Sequence, residues 1–436
     1  MFDVLLLSLI IGMGTTVLAF ASRSLRHEPY RRRFTVTGTL LVGTGVILVL
    51  ATNLIVLAAA WVATSWLAVA LIRTGPATGV SDRSARAVRS FVVGDLAVVA
   101  AVSSLVAATG STAVDDLDRA GPIVLGVAGV LLVVAAASRS ASGPFFRWLP
   151  DSLGAPTPSS ALLHAGVVNG GALLLIKLAP ATAETLPGAV AALAIGGATC
   201  IFAEAVMLTR PDVKGRLAWS TIAQMSFTMV LCGLGLHVAA GLHLVAHGFY
   251  KGALFLGSGS TVRHAVRHDR APAATGGRHP GAFVLAGTVA AATVWATGTE
   301  LHADLAIPLG LACIATGCAA QASMRRAATA RGRLATATAM TALLVAYLLI
   351  TLGLEGAVDA DLTVTDPVLS AWWVLAVLGG LCAVALAPRD LAIWKRIRAA
   401  GRLTVAPRLA LPGPLGRQPD SISPAPHLPA LDHIGA

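Results

Sequence analysis

Apolar runs long enough to cross a bilayer recur along this 436-residue chain and leave room for little else. Apolar residues make up 56% of the sequence and charged ones only 12%, with a mean hydropathy of +0.77. These values define an all-α, polytopic transmembrane bundle. Hydropathy predicts about thirteen spans, at roughly 3–21, 36–51, 54–72, 91–109, 122–138, 159–178, 187–209, 217–236, 238–258, 281–299, 303–322, 334–354 and 369–387. The first run has neither the basic start nor the small-residue cleavage site of a signal peptide, and reads as a span.

Charge placement agrees with this count. With the amino terminus outside, the inside connectors and the tail hold 29 of the 32 Lys and Arg residues, leaving out only Arg119, Lys177 and Lys251. The outside connectors collect acids instead, among them Asp115, Asp116, Asp118, Glu300, Glu355 and Asp361. An error in span number would scramble that asymmetry, so a multi-pass chain with a cytoplasmic carboxyl terminus is expected. The net charge of +11 is then a membrane-orientation bias in a lipid-bound protein and carries no nucleic-acid footprint.

Polar residues inside such spans are costly, and their positions carry the functional signal. His243, His247 and Lys251 lie four residues apart, which stacks them on one slowly drifting helix face over about 12 Å of rise. An ionisable group at the bilayer centre costs roughly 3 kcal/mol or more, so three on one helix point to a proton path. The chain has only four lysines (Lys177, Lys214, Lys251 and Lys395) against twenty-eight arginines. Lysine, unlike arginine, can release its proton when desolvated. Asp95 and Glu204 are the intramembrane carboxylates, and His164 sits about two turns into its span.

Each position also has a plainer reading. His243 and His247 can bond neighbouring helices, and no Glu follows the first His as in a zinc protease helix, so no metal is expected. Asp95 with Arg139 can be a structural pair. Lys177 lies near the outer end of its span and can snorkel. Asp212 and Lys214 lie in an inside connector, either as a solvated face or as a point of proton uptake. Gly166 and Gly170 form a small-residue pair suited to close packing. The five cysteines fall in spans without a paired motif and read as apolar fillers. No cofactor motif stands out. From Pro388 the chain turns basic, then Pro-rich.

Gly143 and Pro144 interrupt an apolar run, which predicts a discontinuous helix near 139–144. Thr157 before Pro158 reads as an N-cap followed by a first-turn proline.

The stretch 139–178, with Arg139, Pro144, Trp148-Leu149-Pro150-Asp151, Pro156-Thr157-Pro158 and Leu163-His164-Ala165, resembles the signature of the antiporter-like subunits of complex I and Mrp complexes. Asp212 to Met225 resembles their next signature, and His243, His247 and Lys251 match the following one. The likeness covers roughly residues 1–260 and is nearest to the membrane subunit of DAB-type inorganic carbon pumps. The resemblance implies an antiporter-like proton-conducting core at 1–260, further transmembrane helices at 261–387 and a cytoplasmic tail at 388–436. It implies a relay of Asp95, Arg139, His164, His243, His247 and Lys251, with Lys214, Asp212, Glu204 and Lys177 as secondary candidates.

The resemblance further implies a transporter subunit with no catalytic site of its own. Its partner would be a large soluble zinc protein, carbonic-anhydrase-like, on the cytoplasmic face of the inner membrane. Two other classes stand beside it: a subunit of a complex I-like, hydrogenase-like or Mrp-type assembly, and a scaffold that moves no protons. Departures from the pattern bear on the choice. Val62 stands where complex I subunits keep a buried Glu, Arg139 stands where they keep a Lys, and no Lys occurs in the spans 281–387. The chain is also expected to start near the family's third helix and to lack its long lateral helix.

Overall fold

Helices account for the regular structure wherever it is described. The computed structural model of the protein describes residues 2–75, 80–207, 209–210, 212–267, 281–297 and 329–358, with Cys313, Thr316 and Ala320. Apart from Cys313, Thr316 and Ala320, the span expected at 303–322 lies outside the described residues, as do the span expected at 369–387 and the tail at 388–436. Five helices come first: α1 (Phe2–Ser24), α2 (Arg31–Leu50), α3 (Leu54–Ile72), α4 (Val80–Thr109) and α5 (Pro122–Arg139). A single turn, α6 (Trp148–Asp151), precedes α7 (Thr157–Ala165), α8 (Gly170–Lys177) and the short α9 (Ala179–Thr182). Then follow α10 (Leu186–Met207), α11 (Val213–Gly233), α12 (His237–Arg267), α13 (Gly281–Thr297) and α14 (Ala330–Val358). Among the described residues there is no strand, only one isolated bridge between Asn53 and Ala113.

Seven helical stretches among the described residues are long and apolar enough to cross a membrane, counting α7 and α8 as one. Helices α11 and α12 match the expected spans in position but are diluted by polar side chains, including the histidine–lysine ladder. They are shielded accordingly: α11 packs on α10 and α12, and α12 packs on α1 and α7. One apolar core runs from Leu6 to Phe255. A small separate cluster of Ala286, Ala290, Leu344 and Leu348 joins α13 to α14.

Local chemistry explains the helix starts. Asn53 caps α3 by accepting from the Ile55 and Val56 amides, and its amide nitrogen donates to Thr112 at 2.7 Å. Asp212 caps α11 by accepting from Gly215 at 2.6 Å. Thr157 departs from expectation: it is the first residue of α7, after Pro156, and its side chain makes no capping bond. A proline at the second position already removes one of the donors that a cap would satisfy.

The discontinuity also lies elsewhere than expected. Helix α5 ends outright at Arg139 and does not resume across 139–144; the Gly143–Pro144 peptide is cis. The interrupted span is 157–177. Gly166 (φ −124°, ψ −68°) leaves helical geometry, a 3-10 turn covers Val167–Asn169, and α8 begins at Gly170. Carbonyls at the break find side-chain donors: Asn169 bonds Ala165 O at 2.9 Å, and Ser140 bonds Val168 O at 3.0 Å. A break at membrane depth is tolerable when protein satisfies it in this way. The close packing expected of Gly166 and Gly170 falls instead to Gly171, where a Cβ would stand 2.6 Å from Ala136 O on α5.

Candidate functional site

Arg139 is the last residue of α5 and is 1% exposed. Although counted with an inside connector, its side chain turns into the bundle. Trp148 helps to hold the helix end, donating from Nε1 to Ser138 O at 2.9 Å and packing edge-on against Phe91. Ser142 bonds Ser226 on α11, and the Gly143 amide donates to Thr199 on α10. These bonds fix the end of α5 from three sides.

The guanidinium reaches α3. Its two terminal nitrogens donate to the Thr64 hydroxyl at 2.7 Å, Trp61 O at 3.0 Å and the Ser65 hydroxyl at 2.5 Å. It also lies over the Trp61 ring at 4.1 Å, a favourable cation–π contact. Asp95 on α4 stands 3.9 Å from Arg139, and Ser65 donates to the same carboxylate oxygen at 2.5 Å. The expected Asp95–Arg139 pair is thus formed, with a serine between its members. Val62, on the same turn of α3, is partly buried against the apolar core.

A second polar cluster lies where α12 meets α7 and α11. Lys251 is 1% exposed and donates to Ser220 on α11. The neighbouring hydroxyl, Thr221, pairs with Nδ1 of His164 at 3.3 Å, and both hydroxyls donate to Leu217 O. A carbonyl only accepts, so the Thr221 hydroxyl hydrogen is assigned to Leu217 O. With that assignment His164 donates from Nδ1, and its Nε2 is the acceptor. That atom is buried without a partner. The imidazole also stacks on Phe255 at 4.2 Å.

Along α12 the rings of His243 and His247 stack 6.0 Å apart. Both nitrogens of His247 and Nε2 of His243 are buried without partners. Lys251 is within electrostatic reach of all three histidines, and Glu204 on α10 is the carboxylate acting on Lys251. Helix α12 comes close to the broken span: a Cβ on Gly248 would lie 3.0 Å from Ala165 O.

The secondary positions separate from these clusters. Lys177 ends α8 and donates to Val49 O at 2.5 Å, satisfying a carbonyl in the last turn of α2. Asp212, besides capping α11, pairs with Arg210 at 3.1 Å. Lys214 reaches Thr157 at 3.5 Å. Sequence reasoning did not single out Thr64, Ser65, Ser220 or Thr221 as partners. The signal was present as consecutive hydroxyls facing a buried charge, but spacing within one helix does not reveal which neighbouring helix it meets.

Buried ionisable groups around an interrupted helix, within a bundle of apolar helices, define an antiporter-like membrane subunit. The family described as "NADH:quinone oxidoreductase/Mrp antiporter, TM" matches residues 51–277, and the chain belongs to that family. Among relatives, it is 32% identical over 279 residues to the "Probable inorganic carbon transporter subunit DabB1" of Halothiobacillus neapolitanus, covering 61% of this chain and 50% of that protein. It is 29% identical over 272 residues to NADH-quinone oxidoreductase subunit L of Mycobacterium tuberculosis, covering 60% of this chain and 42% of that one.

The chain spans about half the length of the curated relatives it matches. In fold it resembles the Mrp complex from Dietzia sp. DQ12-45-1b, with a TM-score of 0.58 and 24% identity, over 93% of this chain and 44% of that chain.

Proposed function

We propose that this chain is the membrane subunit of an ion-gradient-driven inorganic carbon pump of the inner membrane. It conducts protons through the buried groups and passes their free energy to a soluble partner. The observation that carries the proton path is the gathering of His164 and Lys251 on the adjacent Thr221 and Ser220 hydroxyls, with His247 one turn before Lys251 on α12. A proton leaving Lys251 has unpartnered imidazole nitrogens on His164 and His247 as acceptors in the same buried region. Asp95 and Arg139 form the second charged centre. Arg139 keeps its proton, so Asp95 is the group there that exchanges one, with Arg139 as its fixed counter-charge.

The carbon assignment rests on the names of relatives such as the Halothiobacillus neapolitanus protein. The partner is a large soluble zinc-dependent, carbonic-anhydrase-like subunit on the cytoplasmic face. Basic connectors such as Arg23 to Arg33 offer it a docking surface. A second reading, a subunit of a complex I-like or Mrp-type assembly, is favoured by the likeness to subunit L and by the Mrp fold.

Affinity purification of the tagged full chain from its membrane separates the two. A single large zinc-binding soluble protein in the eluate supports the pump. A set of antiporter-like membrane subunits supports the assembly and refutes the pump.

A further inference from the structure

Between α1, α2 and the broken span lies a half-open cavity of about 90 Å³. Its wall is mostly aliphatic, with Leu6, Leu9 and Met13 from α1, Leu41 and Leu48 from α2 and Leu173 from α8. On α1 the lining runs from Leu6 to Gly14, about 12 Å of rise. That is most of one leaflet in a hydrocarbon core about 30 Å thick. Ile10, Val42 and Gly45 are part-exposed along the seam between α1 and α2, and Ile11 and Ile47 beside them face outward. The cavity is thus continuous with the apolar surface that the bundle turns to lipid. Its outer rim is charged. Lys177 follows Leu173 by one turn and donates to the carbonyl of Val49, itself a lining residue. An ammonium has three N–H donors, and Val49 O takes one. Asp3, one turn before Leu6, and Asp115 are exposed carboxylates within electrostatic reach of Lys177.

We propose that the cavity holds one acyl chain of a phosphatidylethanolamine molecule from the outer leaflet, with its headgroup at Lys177. A void in a packed bundle leaves its lining without partner atoms, and a chain from the adjacent leaflet restores those contacts. The space takes part of one chain and excludes a partner helix, which is about 10 Å across. The phosphate accepts from the remaining Lys177 donors, and the lipid ammonium faces Asp3 and Asp115. A purely anionic headgroup would set its charge against those carboxylates with nothing to offset it. The rim therefore matches both charges of the zwitterion. Gly166, where the span breaks, lines the same cavity and is exposed, so the chain also seals the break.

The test is native mass spectrometry of the purified full chain, released from nanodiscs that hold equal amounts of phosphatidylethanolamine and phosphatidylglycerol. The parent should retain one phosphatidylethanolamine. Lys177→Gln should lower that retention about tenfold, the scale of one charge-assisted hydrogen bond. A Cβ on Gly45 would meet Ile10 at an ordinary 3.4 Å, so Gly45→Leu should fold, crowd the seam and lower retention as well. Asp3→Asn, at an exposed position, should let phosphatidylglycerol bind as readily as phosphatidylethanolamine. Electron microscopy of the parent in the same nanodiscs should show chain density in the cavity. Water or a protein segment there would overturn the proposal. So would equal retention of the two lipids by the parent, or equal retention of phosphatidylethanolamine by the parent and Lys177→Gln.

Discussion

Ser65 and Asp95 are joined by a 2.5 Å hydrogen bond in which the serine hydroxyl donates to the carboxylate. The same hydroxyl accepts from Arg139. The 3.9 Å separation of the two charges is thus bridged by an oriented dipole, and the buried pair has its partners despite imperfect contact. Removing one link leaves two charges in a low-dielectric interior with fewer bonds. Ser65→Ala should lower stability by about 1–3 kcal/mol, read as a fall in unfolding temperature in detergent, and should slow proton transport.

Asp95→Asn tests the carboxylate itself. The amide is nearly isosteric, but Arg139 loses its counter-charge, a change that costs about 3–5 kcal/mol when a buried pair is broken. The expected outcome is an inserted, less stable protein without carbon-dependent growth rescue. Normal rescue would move the proton route to another acid, with Glu204 next.

Arg139→Lys tests the fixed charge. Lysine can reach the α3 hydroxyls but cannot spread over Trp61 and make the planar set of bonds. Stability should fall by about 1–2 kcal/mol, while transport survives because the positive charge is kept. Arg139→Met should abolish it. Equal transport in both variants, measured as uptake in cells, would show that the charge is dispensable.

Asp212→Ala separates capping from proton uptake. The lost N-cap should cost about 0.5–2 kcal/mol, while transport per inserted molecule stays within about twofold of the parent. A larger loss of flux at unchanged abundance would make Asp212 part of the path.

Most helices were legible because hydropathy integrates over a whole span: Leu54–Ile72 was placed to the residue and Pro122–Arg139 to within one. The failures share a cause. Hydropathy cannot see where an apolar run stops being helical, so the break at Gly166 looked like a packing motif. Charge counting cannot see whether a side chain at the end of a span turns into the bundle, so the burial of Arg139 was not evident from its place beside a connector. The ladder of His243, His247 and Lys251 was readable from spacing alone, being local to one helix. Its partners on α7 and α11 were not, because they depend on which helices meet. What lies beyond 358, and all of 303–322 but Cys313, Thr316 and Ala320, is outside the described residues.

In the proposed relay Lys251 gives up and regains a proton in each cycle. The most direct measurement is proton flux into proteoliposomes holding the purified full assembly, comparing the parent with Lys251→Arg at matched protein content. Arginine keeps the charge and can bond Ser220 but cannot release its proton. Flux should fall at least about a hundredfold, as it would for a barrier raised by nearly 3 kcal/mol, with insertion and partner binding unchanged. Parental flux from Lys251→Arg would contradict it.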